Sequence, residues 1–235
     1  ILTPTGTTYN VSSDATSTDI QTIIDSMKDG DTLNFAENAI YNDICIYTDK
    51  NIKIIGNNAT LIGYDKLNSE NVPEKVRNQS ANGGYAVAYY AVLYTLNNTH
   101  TVISDLNIIS KYPGYNPTKA TTTTDEYKTA GIYADASNNL TITGCAIEGA
   151  SFGIFMQYSG DSIITDNNIH DQYTNGIINF GSPRDIIANN TITNVVNHGI
   201  DVRHGTGPNV IVFNNTINGA KEGISVVIKI FPTLI

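Results

Sequence analysis

Apolar positions along this chain fall into short alternating runs that return at a nearly constant interval. From residue 131 each run opens on a Gly-Ile pair: Gly131-Ile132, Gly153-Ile154, Gly176-Ile177, Gly199-Ile200 and Gly223-Ile224, spaced 22, 23, 23 and 24 residues apart. A second marker repeats inside each interval, an apolar residue followed five positions later by Ile: Ile142/Ile147, Ile164/Ile169, Ile187/Ile192 and Val212/Ile217. A period in the low twenties, with apolar runs cut by Asn, Gly, Asp and Ser, marks a solenoid of stacked turns. Within a turn the apolar residues alternate, as in Ile132-x-Ala134, Ile154-x-Met156 and Ile200-x-Val202, and no turn holds a ten-residue helical pattern. Ile and Val suit a pleated surface. Each interval has room for three short strands, which stacking would pair in parallel at ~4.8 Å. The pattern therefore predicts an all-β chain, a parallel β-helix.

One polar column supports the same stacking. Two residues before the closing Ile stand Cys145, Asn167, Asn190 and Asn215. Stacked coils would place these at one corner, where Asn amides bond to each other and to turn carbonyls that a bend leaves unpaired.

Ahead of the regular repeats the pattern changes. Residues 1–16 read as an extended lead-in. Residues 17–30 read as a helix: Ser17 or Thr18 as cap, Asp19 at the positive end, Ile20, Ile23, Ile24 and Met27 on one face, and Gly30 as stop. Its expected place is across the open end of the coil stack, since solenoid ends need covering. Coils then fill residues 31–235, interrupted by insertions at about 64–90 and 110–129 that are rich in Tyr and Thr. Such insertions map to loops on one face. The whole chain, 1–235, reads as a single domain.

Composition narrows the functional classes. A net charge of −9 with 15% charged residues leaves no basic nucleic-acid footprint. No apolar window is long enough for a membrane span. Cys45 and Cys145 fall in different columns several coils apart, so no disulfide is expected.

The N-terminal run Ser17-Thr18-Asp19-Ile20-Gln21 through Asp29-Gly30-Asp31-Thr32-Leu33, with Asn51-Ile52-Lys53-Ile54-Ile55-Gly56-Asn57-Asn58-Ala59-Thr60-Leu61, resembles the capping region of adhesin-like surface proteins of methanogenic archaea. The Gly-Ile and Asn-Asn-x-Ile coils resemble their right-handed β-helix repeats, within the broad pectin-lyase-like superfamily. The resemblance implies a secreted or cell-envelope protein with binding or structural duties, and the start at Ile1 without an initiator Met leads us to expect a fragment of a longer surface protein. It carries over no catalytic residue.

Chemistry is sought on the outward side of the Gly-Ile strands. With Ile inward, Tyr133, Phe155, Ile178, Gln157 and Phe180 point outward. This aromatic stripe suits either carbohydrate stacking, with these five residues binding ligand, or cover by the insertions. Beside it His198, Asp201, Arg203 and His204 form the one polar constellation, candidates for acid–base work on acidic sugars or an ordinary surface ion pair. Asn197-His198-Gly199 partly matches the Gly-His-Gly of polygalacturonases, but the Asp-Asp pair and Arg-Ile-Lys of that family are missing.

Asp161 and Asp166 lie at turns and offer oxygen ligands for Ca²⁺, though no EF-hand loop or Ca²⁺-binding repeat accompanies them; His170 and Asp171 end a strand. No cofactor is otherwise expected. Among the Asn-x-Ser/Thr sequons, Asn78 and Asn97 are least explained by the repeat and are the candidates for glycosylation.

The expected function is a non-catalytic, extracellular, adhesin-like or structural protein that binds a glycan or protein partner. The alternatives are a lyase, hydrolase or epimerase of uronate glycans on the same fold, and a subunit that assembles through its ends. For the last, the apolar segment from Ser225 to Ile235 is either followed by further coils or self-associates.

Overall fold

A computed structural model describes residues 6–65, 72–76, 89–111, 128–203 and 209–227. These residues form β-strands that pair in parallel from coil to coil, with an α-helix near the start and a helical turn at 74–76. One sheet has seven strands, one from each successive coil: β4 (Ile46–Thr48), β6 (Tyr89–Leu96), β8 (Lys128–Asp135), β11 (Phe152–Gln157), β14 (Asn175–Phe180), β17 (His198–Arg203) and β20 (Glu222–Val227). Here each Gly-Ile pair stacks on the next, Ile132 on Ile154 on Ile177 on Ile200 on Ile224.

The second sheet has thirteen strands, β3 (Ile40–Ile44) among them, and wraps the rest of the coil. In the early coils β5 (Lys53–Gly63) and β7 (Val102–Ile109) run through its bend unbroken. In later coils the same path splits into short pairs: β9 (Thr141–Thr143) with β10 (Ala146–Glu148), and β12 (Ile163–Thr165) with β13 (Asn168–His170). The pairs β15 (Ile186–Ala188) with β16 (Thr191–Thr193), and β18 (Ile211–Phe213) with β19 (Thr216–Asn218), complete the set.

The split falls where the polar column was expected. Gly144, Asp166, Asn189 and Asn214 take positive φ of 52–65°, a conformation that Gly, Asn and Asp tolerate best. Each is followed by a rung of the amide ladder. Asn167 Oδ1 accepts from Cys145 N, Asn190 Oδ1 from Asn167 N, and Asn215 Oδ1 from Asn190 N, at 2.9–3.0 Å. The Nδ2 groups of Asn167, Asn190 and Asn215 donate to the carbonyls of Ile142, Ile164 and Ile187. Bend carbonyls buried away from water thus keep partners, which removes a penalty of roughly 1–3 kcal/mol for each group that would otherwise be unpaired.

The two sequence markers prove to be one packing contact. A Cβ added at Gly131, Gly153, Gly176 or Gly199 would stand 2.3–2.6 Å from Cγ2 of Ile147, Ile169, Ile192 or Ile217 respectively. The glycine is required because the closing Ile of its own coil occupies the space where a Cβ would sit.

At the N-terminal end the structure differs from expectation in its limits. Helix α1 spans Ser17–Ser26, not 17–30, and its cap is Thr16, which closes a capping box with Asp19. The helix stops early because Asp31 pulls the chain out of it, accepting hydrogen bonds from Lys28 N and Thr7 N at 2.7 Å each. The Lys50 ammonium reaches across to the carbonyls of Ile24 and Asp25 at the helix C-terminus. The lead-in contributes its own rung, β1 (Thr8–Asn10), parallel to β2 (Thr32–Asn34).

Candidate functional site

The outward side of the seven-stranded sheet carries three neighbouring columns, fixed by register. The central one runs Tyr94, Tyr133, Phe155, Ile178, Asp201 and Ser225. The next runs Asp135, Gln157, Phe180, Arg203 and Val227. The third, immediately before the glycines, includes Phe152, Asn175, His198 and Glu222.

The aromatic part of this face is not an open platform. Tyr133, Phe155, Gln157 and Ile178 are 0–5% exposed, so of the two readings of the stripe the burial matches cover and not an open stacking surface. The reason is mutual cover. Tyr94 meets Tyr133 edge-on at 6.0 Å, and Phe155 contacts both Tyr133 and Phe152 at 5.3 Å. Val72 and Val76, from the first insertion, join the same apolar cluster. The Tyr133 hydroxyl donates to Gln157 Oε1, giving both polar ends a partner inside the stack. Burial pushes the Tyr94 hydroxyl well above its ordinary pKa.

Only the margin of the stripe meets solvent. Phe180 is partly buried, and Tyr158 lies edge-on to it at 5.9 Å while remaining 50% exposed. Tyr158 takes φ +49°, an uncommon conformation for a bulky side chain. Its N–H donates to the Phe180 carbonyl at 2.9 Å, so the coil ladder holds the residue in this corner. Arg203 is the next register neighbour of Phe180, with its side chain 39% exposed.

Behind Arg203 lies a charged knot. Asp201 is fully buried, and a single oxygen, Oδ2, takes all its partners. Asn175 Nδ2 donates to it at 2.9 Å, His198 Nδ1 lies at 3.2 Å, and Arg203 Nε at 2.6 Å. The Arg203 contact is an ion pair in which the N–H does not point at the oxygen. Nε therefore makes no hydrogen bond, and neither does Asp201 Oδ1. His198 Nε2 faces Glu222 Oε2 at 3.1 Å. The expected surface ion pair is thus a buried hub. The sequence supplied His198, Asp201 and Arg203 but missed Asn175 and Glu222. Their signal was their phase, the position just before each Gly-Ile glycine. His204 lies outside the described residues.

The remaining expectations fall apart in space or into other roles. Asp161 and Asp166 sit at opposite ends of β12, each in a positive-φ corner, and do not share a site. The Arg184 guanidinium of the next coil takes Asp161 in a two-pronged pair and holds its carboxyl below the usual pKa. Asp166 accepts from Thr165 Oγ1. Asn97 is an exposed corner residue at φ +52°, open to modification, while Asn78 lies outside the described residues. Cys45 and Cys145 are free and buried, with burial pushing both thiols up to about 12.

Inside the coil, the pattern did not single out Asp185. It is buried, accepts from Ser162 N and Asn179 Nδ2, and is pushed up to about 8 by desolvation.

Comparison with known proteins agrees with the coil geometry. Among solved structures the chain is similar to an alginate lyase from Paenibacillus sp. str. FPU-7, at 18% identity and TM-score 0.65, covering 94% of this chain and 74% of that one. It is also similar to a proposed glycosyl hydrolase from Parabacteroides merdae ATCC 43184, at 14% identity and TM-score 0.56, covering 90% and 98%. At such identities the likeness is one of fold. Among curated protein sequences there is no match. The family model described as a right handed beta helix region matches residues 91–229, more than half of the chain, a stretch that begins within β6 and takes in β20. The chain belongs to the right-handed β-helix family.

Proposed function

We propose that this protein is a non-catalytic, extracellular scaffold of the adhesin type that binds glycan at the margin formed by Tyr158, Phe180 and Arg203. The carrying observation is the state of this face. An exposed tyrosine set edge-on to Phe180 lies beside a guanidinium, while the carboxylate that acid–base chemistry would use, Asp201, is fully buried. Aromatic faces stack on the apolar faces of sugar rings, and Arg offers a planar fork for a carboxylate or paired hydroxyls. A cell-surface location and the adhesin role rest on the sequence resemblance, and the glycan class rests on the margin itself.

A glycan array that includes uronate polymers tests this directly. The wild type is expected to bind without releasing product. Tyr158→Ala or Arg203→Ala should weaken binding about tenfold, since one such contact is worth roughly 1–1.5 kcal/mol.

A second reading is favoured by the unpartnered Oδ1 of Asp201 and Nε of Arg203, which would suit a bound substrate if the knot opens. In that case uronate polymers would yield unsaturated or reducing-end products, and Asp201→Asn would abolish them. That outcome sinks the scaffold reading.

A further inference from the structure

At the corner where β13 leads toward β14, Glu148, His170 and Asp171 converge. The register of β10 with β13 sets Glu148 directly against His170 on consecutive coils. Asp171 follows His170 and takes φ +55°, which turns its carboxylate back toward its own neighbour's ring. One ligand atom from each of the three lies within 4.8 Å of the others.

Two carboxylates compete for one nitrogen at this corner. Both carboxylates address the same ring nitrogen: Asp171 Oδ2 lies 2.7 Å and Glu148 Oε2 3.5 Å from His170 Nδ1. A single N–H can serve only one of them. Among the described residues no lysine or arginine pairs with either carboxylate. The corner therefore turns two partly exposed carboxylates, neither held by a cation, onto one imidazole nitrogen.

We propose that Glu148, His170 and Asp171 form a site for a divalent transition-metal ion of the zinc class, tying one coil to the next. Bonds of roughly 2.0–2.2 Å in a tetrahedral shell set neighbouring ligand atoms roughly 3.3–3.5 Å apart. The Nδ1 to Glu148 Oε2 separation of 3.5 Å already has that value. Asp171, with its side chain 58% exposed, is free to swing outward from its 2.7 Å hydrogen bond to match. Asn194 Nδ2 holds the other carboxylate oxygen, Oδ1, at 3.3 Å, which leaves Oδ2 for the ion. Below the ring, the buried Gln172 donates to the His170 carbonyl at 2.8 Å and fixes the backbone that presents the imidazole. A water completes the shell. The imidazole selects zinc-class ions over Ca²⁺ and Mg²⁺, which prefer oxygen donors alone.

Calorimetric titration of the EDTA-treated full chain with ZnCl₂ tests the assignment, with CaCl₂ and MgCl₂ as parallel arms. Expected are one zinc per chain, no comparable heat from the other two ions, and a rise in Tm with added zinc. His170→Gln and Glu148→Gln should each lower zinc affinity by at least about tenfold, the loss that even an outer partner of a metal ligand causes. Both positions are partly exposed, so the metal-free Tm of each variant should match the wild type. His198→Gln should leave zinc binding unchanged. The proposal is overturned if zinc does not bind, if His170→Gln binds it as the wild type does, or if Ca²⁺ binds equally well. The last result would mark an unspecific carboxylate cluster.

Discussion

The two ends of the described coil stack use the same interior pattern and treat it in opposite ways. At the N-terminal end, Ile20 and Ile24 of α1 and Met27 just after it are 0–3% exposed and join Leu33, Phe35, Ile46 and Ile52 in one core. The helix also satisfies the open edge of the seven-stranded sheet. Ser17 Oγ exchanges hydrogen bonds with Cys45 N and O, and the Gln21 amide does the same with N and O of Tyr47, standing in for a strand. At the other end the inward column Ile132, Ile154, Ile177 and Ile200 is fully buried, yet its next member, Ile224, is 51% exposed and Val226 is 59% exposed. Among the described residues nothing stands on β20. Burial in a solenoid is thus a property of the neighbouring coil more than of the residue.

That contrast can be broken or sharpened by substitution. The largest effect is expected at the covered end, where Ile24→Ala should cost about 2–5 kcal/mol in chemical denaturation. Ile224→Ala, at the open end, should stay within about 1 kcal/mol of wild type. Equal losses would mean that the C-terminal coil is as well covered as the first.

The glycine column gives a second, smaller contrast. At Gly176 a Cβ would meet Ile192 Cγ2 at 2.6 Å and the Gly199 carbonyl oxygen at 2.7 Å, whereas at Gly223 nothing lies within 4 Å. Gly176→Ala should therefore destabilise by about 1–3 kcal/mol, and Gly223→Ala should be close to neutral by the same measurement. Gln21→Ala should cost about 1 kcal/mol, because the two Tyr47 backbone groups it releases can turn partly to water. Hydrogen exchange at the Tyr47 amide should rise in that variant and stay slow if the cap holds by apolar contact alone.

The same distinction explains which parts of the site were legible. Outward direction was readable at Tyr133, Phe155, Ile178 and Asp201, because alternation along a strand is local. Exposure was not. Whether these residues meet water depends on Val72, Val76 and the rings of neighbouring coils, which no local pattern encodes. Tyr158 went unnoticed because its significance is a positive φ and a ring contact, neither of which has a sequence signature here. Asn175 and Glu222 became site residues only when register set them beside His198, from coils 23 and 24 residues away in the chain.

The sequence by itself determined the coil, its period, its inward Ile columns, its amide ladder and the presence of an N-terminal helix. Each of these repeats a local demand of strand pleat or bend. Tertiary structure alone decided that the aromatic stripe closes on itself, that Asp201 becomes a buried hub, and that Glu148 meets His170. It also fixed the point where α1 gives way to Asp31. These depend on which residues lie one coil away, and the small variation in repeat length is enough to hide that spacing until the coils are stacked.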